Sequence, residues 1–406
     1  MDAQSIINQL LTPEGRADRY PLYTLVHELG PAAPAGEGLV MVGGYEAVKE
    51  ALRNPGLGTD ITMASLGVDL DEHPSLAMLN RSILYANPPH HGRMRSPISP
   101  LFTARRVAAM EKTIAEHTDT LLDALAEAGA RPVDFMDAFA FPLPARVICE
   151  LVGVPDGDRS HLHGLAIDMM AALELMADPS GLETADRAAL EIGDYFTHLA
   201  EARRADPRDD LVTALVKARE RGALETDEEL VANLTQVLLA GLETTTYLLG
   251  NGLQLLLEHP QVMAGLREGT VDVADFVEEV LRYDTPGQVT HRVAMADGIS
   301  IEGVPVPAGS QVLLLLGAAN RDPARYDDPD RFDPGRQDIQ PLSFSGGAHY
   351  CLGAVLARSE ATIAFSRLIS RFPALALAPD AEPTRQDRLI LRAHETLPVV
   401  VAPPQG

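Results

Sequence analysis

The run from Phe344 to Arg358, F-S-G-G-A-H-Y-C-L-G-A-V-L-A-R, delivers one cysteine on a glycine-rich loop to the start of a helix. A thiolate at Cys351 gains from backbone N–H groups of the loop and from the positive end of the helix that follows. Both lower a thiol pKa and make the sulfur a metal ligand. Gly346, Gly347 and Gly353 leave room for a flat, bulky group to lie against the backbone. Taken without its context, Cys351 reads as a small buried hydrophobe. A zinc site could pair it with His349, but zinc needs a full ligand set at recognisable spacings, and the only other cysteine, Cys149, lies in an apolar run.

Three further groups carry chemistry. Ala240-Gly241-Leu242-Glu243-Thr244-Thr245 interrupts an otherwise apolar helical pattern. Its glycine, buried carboxylate and threonines all cost helix stability, and a conflict of that kind points to function. In N-P-P-H-H-G-R-M-R, His91 and Arg95 stand four apart and share one helical face. In V-E-E-V-L-R, Glu279 and Arg282 stand three apart and can pair.

Long elements must position these groups. Thr226 with Glu229 is a capping-box signature, and His259-Pro260 is a stop, so one helix of roughly 48 Å carries the Ala240–Thr245 stretch. Asn233, Gln236, Glu243 and Asn251 make it a core helix and not a membrane span. Val107, Met110, Ile114, Leu121 and Leu125 predict an amphipathic helix from Ala104 to Gly129. Pro142 opens another through Cys149, stopped by Gly153. Leu39–Val42, Val312–Leu316, Leu389–Leu391 and Leu397–Val401 read as strands, and Ile299 to Val306 as a hairpin. Residues 58–87 have no clean period and read as a long loop with short helical pieces. Met169, Met170, Leu173, Leu175 and Met176 form a methionine-rich stretch that is ordinarily core.

The pattern F-x-x-G-x-x-x-C-x-G, filled by Phe344, Gly347, Cys351 and Gly353 and followed by Leu356, Ala357 and Arg358, resembles the haem-binding loop of the cytochrome P450 family. The likeness extends over nearly the whole chain. It implies a mainly α fold with a smaller β region: one domain over 1–406, its β-rich lobe from 20–60, 296–317 and 385–402, and a long central helix crossing the haem. It makes haem b (iron protoporphyrin IX) the cofactor and Cys351 the axial iron ligand. His91, Arg95, Arg292 and His349 would hold the propionates, with Phe344, Gly353 and Ala240 also against the haem. Gly241 would make space for oxygen, and Glu243 and Thr244 would relay protons. Glu279 and Arg282 would be a buried structural pair tied to a later arginine, here Arg331 of D-P-D-R-F. Met169, Met170, Leu173, Val237, Gly287, Val289, Leu389 and Ile390 would line the substrate pocket, the methionine-rich stretch serving as its lid. Two positions depart from the family's habit: Asn87 stands where an aspartate is usual, and Gly287 where valine is commoner, which should widen the pocket.

The activity implied is monooxygenation: one oxygen atom of dioxygen enters an apolar natural product of polyketide or macrolide type, with electrons from a ferredoxin and its reductase. Ring closure, N-oxidation, coupling and a non-catalytic haem-binding role are the alternatives. Arg93, Arg105, Arg106, Lys112 and Arg358 would form the basic docking surface for the ferredoxin. A formal net charge of −25 argues against nucleic acid as a partner. Two cysteines exclude a disulfide framework and suit the cytoplasm; no signal peptide or spanning run is read, and the expected state is a soluble monomer.

Overall fold

A computed structural model of the chain describes residues 1–60, 69–174 and 179–401. One five-stranded sheet is built from β1 (Ala32–Pro34), β2 (Leu39–Val42), β3 (Leu57–Gly58), β4 (Val289–Ala294) and β7 (Gln311–Leu315), in the order β1-β2-β7-β4-β3. The hairpin of β5 (Ile299–Ile301) and β6 (Val304–Val306) lies between β4 and β7 in sequence. β2 and β7 run parallel and the other pairs antiparallel. Side chains of a strand alternate between faces. Val40, Val42, Val312 and Leu314 accordingly enter one apolar cluster, while Met41, Leu313, Leu315 and Val289 enter another.

The helices that matter for the site are α1 (His90–Ile98), α2 (Ala104–Ala126), α3 (Pro142–Val152), α4 (Arg159–Met169), α5 (Pro179–Ala205), α6 (Asp227–Glu258), α7 (Val273–Tyr283) and α8 (Ala354–Arg371). α6 is the predicted central helix. The Thr226 hydroxyl accepts from the Glu229 N–H at 3.1 Å, and the helix ends at Glu258, two residues before Pro260 breaks the pattern. Leu234, Leu238, Leu248 and Leu249 of α6 pack with Phe139, Val147 and Phe365 in the largest cluster. Each such side chain contributes about 1.5–3 kcal/mol on burial. The amides on α6 reach partners on other segments: Asn233 Oδ1 accepts from Ile83 N at 3.0 Å, and Asn251 Nδ2 donates to the carbonyls of Asp284 and Arg392. Among the described residues no helix is long and apolar enough to cross a membrane.

One expected strand is absent. Leu389-Ile390-Leu391 makes a single bridge, Leu391 to Gly287, and otherwise spends its backbone groups on side chains. The Glu174 carboxylate accepts from the N–H groups of Leu389 (3.0 Å) and Ile390 (3.3 Å), and Arg19 donates to Leu389 O (3.0 Å). Those bonds replace a ladder. Leu175 and Met176 fall outside the described residues.

Candidate active site

The cysteine loop closes on itself, the Cys351 N–H donating to Phe344 O at 2.9 Å. Its sulfur takes backbone N–H groups of Gly353 and Ala354, at the start of α8. Cys351 lines a cavity, and its exposed surface faces it. Burial nevertheless pushes the thiol above its ordinary value, against the pull of the two N–H groups, Arg95 and Arg358. The expected lowering is thus outweighed by desolvation: the free group is a thiol, which a coordinated metal would deprotonate. Among the described residues no three of His, Cys, Asp or Glu converge as a metal-binding group. The glycines have a different use from the one expected. A Cβ on Gly347, whose φ is +62°, would meet Leu52 O at 2.4 Å, and one on Gly346 would meet Leu52 Cβ at 3.2 Å. They let the loop press on the segment after β2. A Cβ on Gly353 would sit 3.9 Å from the Cys351 sulfur.

Basic side chains gather at the same cavity, with Arg292 outside its lining. His91 and Arg95, on one face of α1, line it with His349 of the loop. The rings of His91 and His349 lie 4.3 Å apart, and Arg95 donates to Ala348 O (3.2 Å) and Tyr350 O (2.8 Å). Arg292, buried on β4, donates to His291 O at 2.7 Å. Burial lowers Arg292 to about 10, and burial with the neighbouring Arg292, His91 and Arg95 lowers His349 to about 3. Among the described residues neither Arg95 nor Arg292 forms an ion pair with a carboxylate. A buried cationic group without a counter-charge calls for an anionic ligand. One thiol and a rim of unpaired cations fit a metal-bearing macrocycle with carboxylate arms. Asn87, beside this rim, accepts from Thr59 N (2.9 Å) and donates to Thr59 O (2.7 Å), a pairing an ionised aspartate could not make in full.

α6 supplies Ala240, Gly241, Thr244 and Thr245 to the cavity. The Thr244 hydroxyl donates to Ala240 O at 2.8 Å, leaving its oxygen free to accept. Gly241 does not open a gap. A Cβ there would meet Ile148 Cγ1 at 2.5 Å, so the glycine is required by the close approach of α3. Glu243 is buried and outside the cavity lining; its carboxylate accepts from the Tyr247 hydroxyl, which also contacts Gln386 Oε1 at 3.3 Å. Burial raises Glu243 to about 6, partly opposed by Arg388. Tyr247 was missed by the sequence reading, although its spacing of four from Glu243 marks one helical face.

Glu360 was missed as well. It lies on α8, lines the cavity, and its Oε2 has no partner among the described residues. Ala357, Ala361 and Ala364 around it betray a carboxyl on a buried face. Burial raises it to about 8 from an ordinary 4.5. The unfolded chain therefore loses this proton at lower pH than the folded one, and stability falls as pH rises between about 4.5 and 8. Glu360→Gln should abolish that loss. Thermal melts across the window check it: the wild type should drop by several degrees relative to the variant, and parallel curves would contradict the assignment.

Of the expected pocket residues, Val237 and Gly287 line the cavity. A Cβ on Gly287 would meet no heavy atom within 4 Å, so nothing in the packing demands glycine there. The others are outside the lining of this cavity. Met169 and Met170 are core residues, with Leu173 and Ile390 packed against that core. Val289 and Leu389 join the cluster on one face of the sheet. In the buried pair, Glu279 meets Arg282 at 2.7 Å with neither side chain exposed. The later arginine is Arg336, whose Nε lies 3.3 Å from Glu279, and not Arg331, which is 62 % exposed and bonds Asp333. Only the Arg331 carbonyl takes part, accepting from Arg282 at 3.2 Å.

The basic surface is largely self-neutralised. Arg93 pairs with Glu225 and Glu229, Arg106 with Asp209, Lys112 with Glu116 and Arg358 with Glu278.

Comparison with known proteins agrees with this geometry. The family model described as Cytochrome P450 matches residues 167–399. The 6-deoxyerythronolide B hydroxylase of Saccharopolyspora erythraea is 38 % identical over 94 % of this chain and 96 % of its own length. The cytochrome P450 monooxygenase PikC of Streptomyces venezuelae is 36 % identical over 89 % and 85 %. Among solved structures, P450BioI in complex with a hexadec-9Z-enoic acid ligated acyl carrier protein superposes with a TM-score of 0.89 at 33 % identity, covering 95 % of this chain and 99 % of that one. A mainly helical fold, a thiol at the head of a helix facing a cation-rimmed cavity, and relatives matched nearly end to end lead to one assignment: the chain belongs to the cytochrome P450 family, oxidoreductases that use haem b.

Proposed function

We propose that the chain is a haem-thiolate monooxygenase that places one oxygen atom of dioxygen on an apolar polyketide- or macrolide-type molecule, with electrons from a ferredoxin and its reductase. The observation that carries this reading is the convergence, on one cavity, of Cys351, of His91, Arg95 and His349, and of Ala240, Gly241, Thr244 and Thr245 of α6. The hydroxylase and PikC relatives support the substrate class.

Cys351 would hold the haem iron through its sulfur, and His91, Arg95, Arg292 and His349 would hold the propionates. When bound, haem supplies dioxygen activation and the oxidising power for attack on substrate, and a thiolate ligand favours O–O cleavage. The N–H groups of Gly353 and Ala354 hold the sulfur and temper its charge. Phe344, under the Arg358 guanidinium at 4.3 Å from its ring centroid, shields it from water. Thr244 accepts a hydrogen bond in the cavity while its own proton stays on Ala240 O. Glu243, near 6, can both hold and release a proton at neutral pH, and it reaches Thr244 only by leaving Tyr247. Ferredoxin docking draws on Arg105 and on the exposed Val355 beside the cysteine loop, and requires the paired arginines to exchange partners.

Thr244→Ala should keep haem binding and NAD(P)H consumption while product falls about 10²-fold, the electrons appearing as peroxide. Product and peroxide assays with a ferredoxin system check it. Undiminished coupling would remove Thr244 from the relay. The reading as a whole is tested by titrating macrolides and polyketides against the haem-loaded protein: a saturable Soret shift followed by oxygenated product supports it, and haem that takes up no electrons overturns it.

A further inference from the structure

Of the three buried amides on α6, Asn233 and Asn251 have their side chains engaged by protein groups. Gln236 does not. Its residue is 8 % exposed, its Oε1 has no partner among the described residues, and it lines the cavity. Its neighbour Thr235 also carries an unpartnered hydroxyl but does not reach the cavity. Around Gln236 the lining is apolar: Ile83 and Leu84, whose segment is fixed to α6 through Asn233, and Val237. A lone acceptor in such surroundings costs free energy unless a ligand meets it.

Spacing fixes where that ligand group must lie. Gln236, Ala240 and Thr244 follow at four-residue steps and share one face of α6. At 1.5 Å per residue, Gln236 stands about 6 Å along the axis from Ala240 and about 12 Å from Thr244. We propose that Gln236 is a specificity-determining residue that accepts a hydrogen bond from a hydroxyl or amide N–H of the substrate, so that the preferred substrate is an apolar molecule with one such donor about 6–12 Å from the oxidised carbon. This rests on the haem-thiolate reading and narrows it. A site built to bond a substrate donor discriminates strongly against the analogue that lacks it, because the protein acceptor is then left unpaired.

The experiment uses haem-loaded protein and pairs of 1-alkylimidazoles of stepwise increasing chain length, each ending in either a methyl or a hydroxyl group. The imidazole nitrogen ligates iron whatever the natural substrate, and the Soret shift gives the dissociation constant. The hydroxyl member should bind about two- to tenfold tighter than its methyl twin at one chain length and not at the others. Gln236→Leu should erase that gain, with the methyl series binding as tightly as before or tighter because no acceptor is left unpaired. Gln236→Asn, shorter by one methylene, should move the optimum to a longer chain. A gain at every length, no gain at all, or a gain that persists in Gln236→Leu overturns the inference. Failure of every imidazole to produce a thiolate–azole spectrum would instead refute the haem-thiolate reading, and this inference with it.

Discussion

Cys351→Ala should yield a folded protein whose reduced, carbonyl-bound form lacks the thiolate signature and whose turnover falls at least about 100-fold, a loss that even outer-shell changes around a metal can bring. The structure separates this outcome from unfolding. Loop geometry rests on the Cys351 N–H to Phe344 O bond, on Gly347 against Leu52, and on Arg95 to the Ala348 and Tyr350 carbonyls, none of which uses the sulfur. The cationic rim is also intact, so the variant should still take up haem, more weakly. Circular dichroism, haem content and the reduced-carbonyl spectrum together check it. An unchanged spectrum would refute the ligand assignment.

The second large effect is on stability. Glu279 Oε1 accepts from Arg282 (2.7 Å), Asp333 N (2.8 Å) and Arg336 (3.3 Å), and Oε2 accepts from Arg282 (2.7 Å). Arg282 in turn donates to the carbonyls of Asn320, Pro329 and Arg331. Glu279→Leu leaves a fully buried guanidinium without its carboxylate and should cost about 3–5 kcal/mol. Against a total of about 5–15 kcal/mol that is a large fraction. Arg336→Ala should follow in the same direction with a smaller loss, whereas Arg331→Ala should stay within about 0.5 kcal/mol. Urea unfolding of the four proteins decides the matter. Equal losses at Arg331 and Arg336 would show that the pairing geometry is wrong.

Patterns local in sequence were legible before any coordinates. The Thr226–Glu229 cap, the stop at His259-Pro260 and the glycine at the end of α3 mark helix ends because each is a bond or a dihedral preference within a few residues. The resemblance carried by the cysteine loop held for the same reason: its residues are contiguous. What failed depends on distance along the chain. Arg331 and Arg336 sit in one turn-rich segment, and only the path of that segment past α7 selects between them. Gly346 and Gly347 were read as room for a ligand because Leu52, far away in sequence, could not be seen. Met169 and Met170 were assigned to the pocket because a methionine's side chain adapts equally to a ligand and to a core. Tyr247 and Glu360 needed no long-range knowledge; their helical spacing was available and was passed over.

The unpaired cations around His349 bear on how the protein is made. Arg292 is buried with no carboxylate paired to it among the described residues, and His91, His349 and Arg95 lie in the same small region. Burial of the Arg292 charge without a counter-charge costs stability, and the carboxylate arms of the macrocycle would offset it, so binding energy is also folding energy. The supply of haem during synthesis should therefore affect how much of this chain survives proteolysis in the cell. An expression host short of iron or porphyrin will return low yield before it returns low activity.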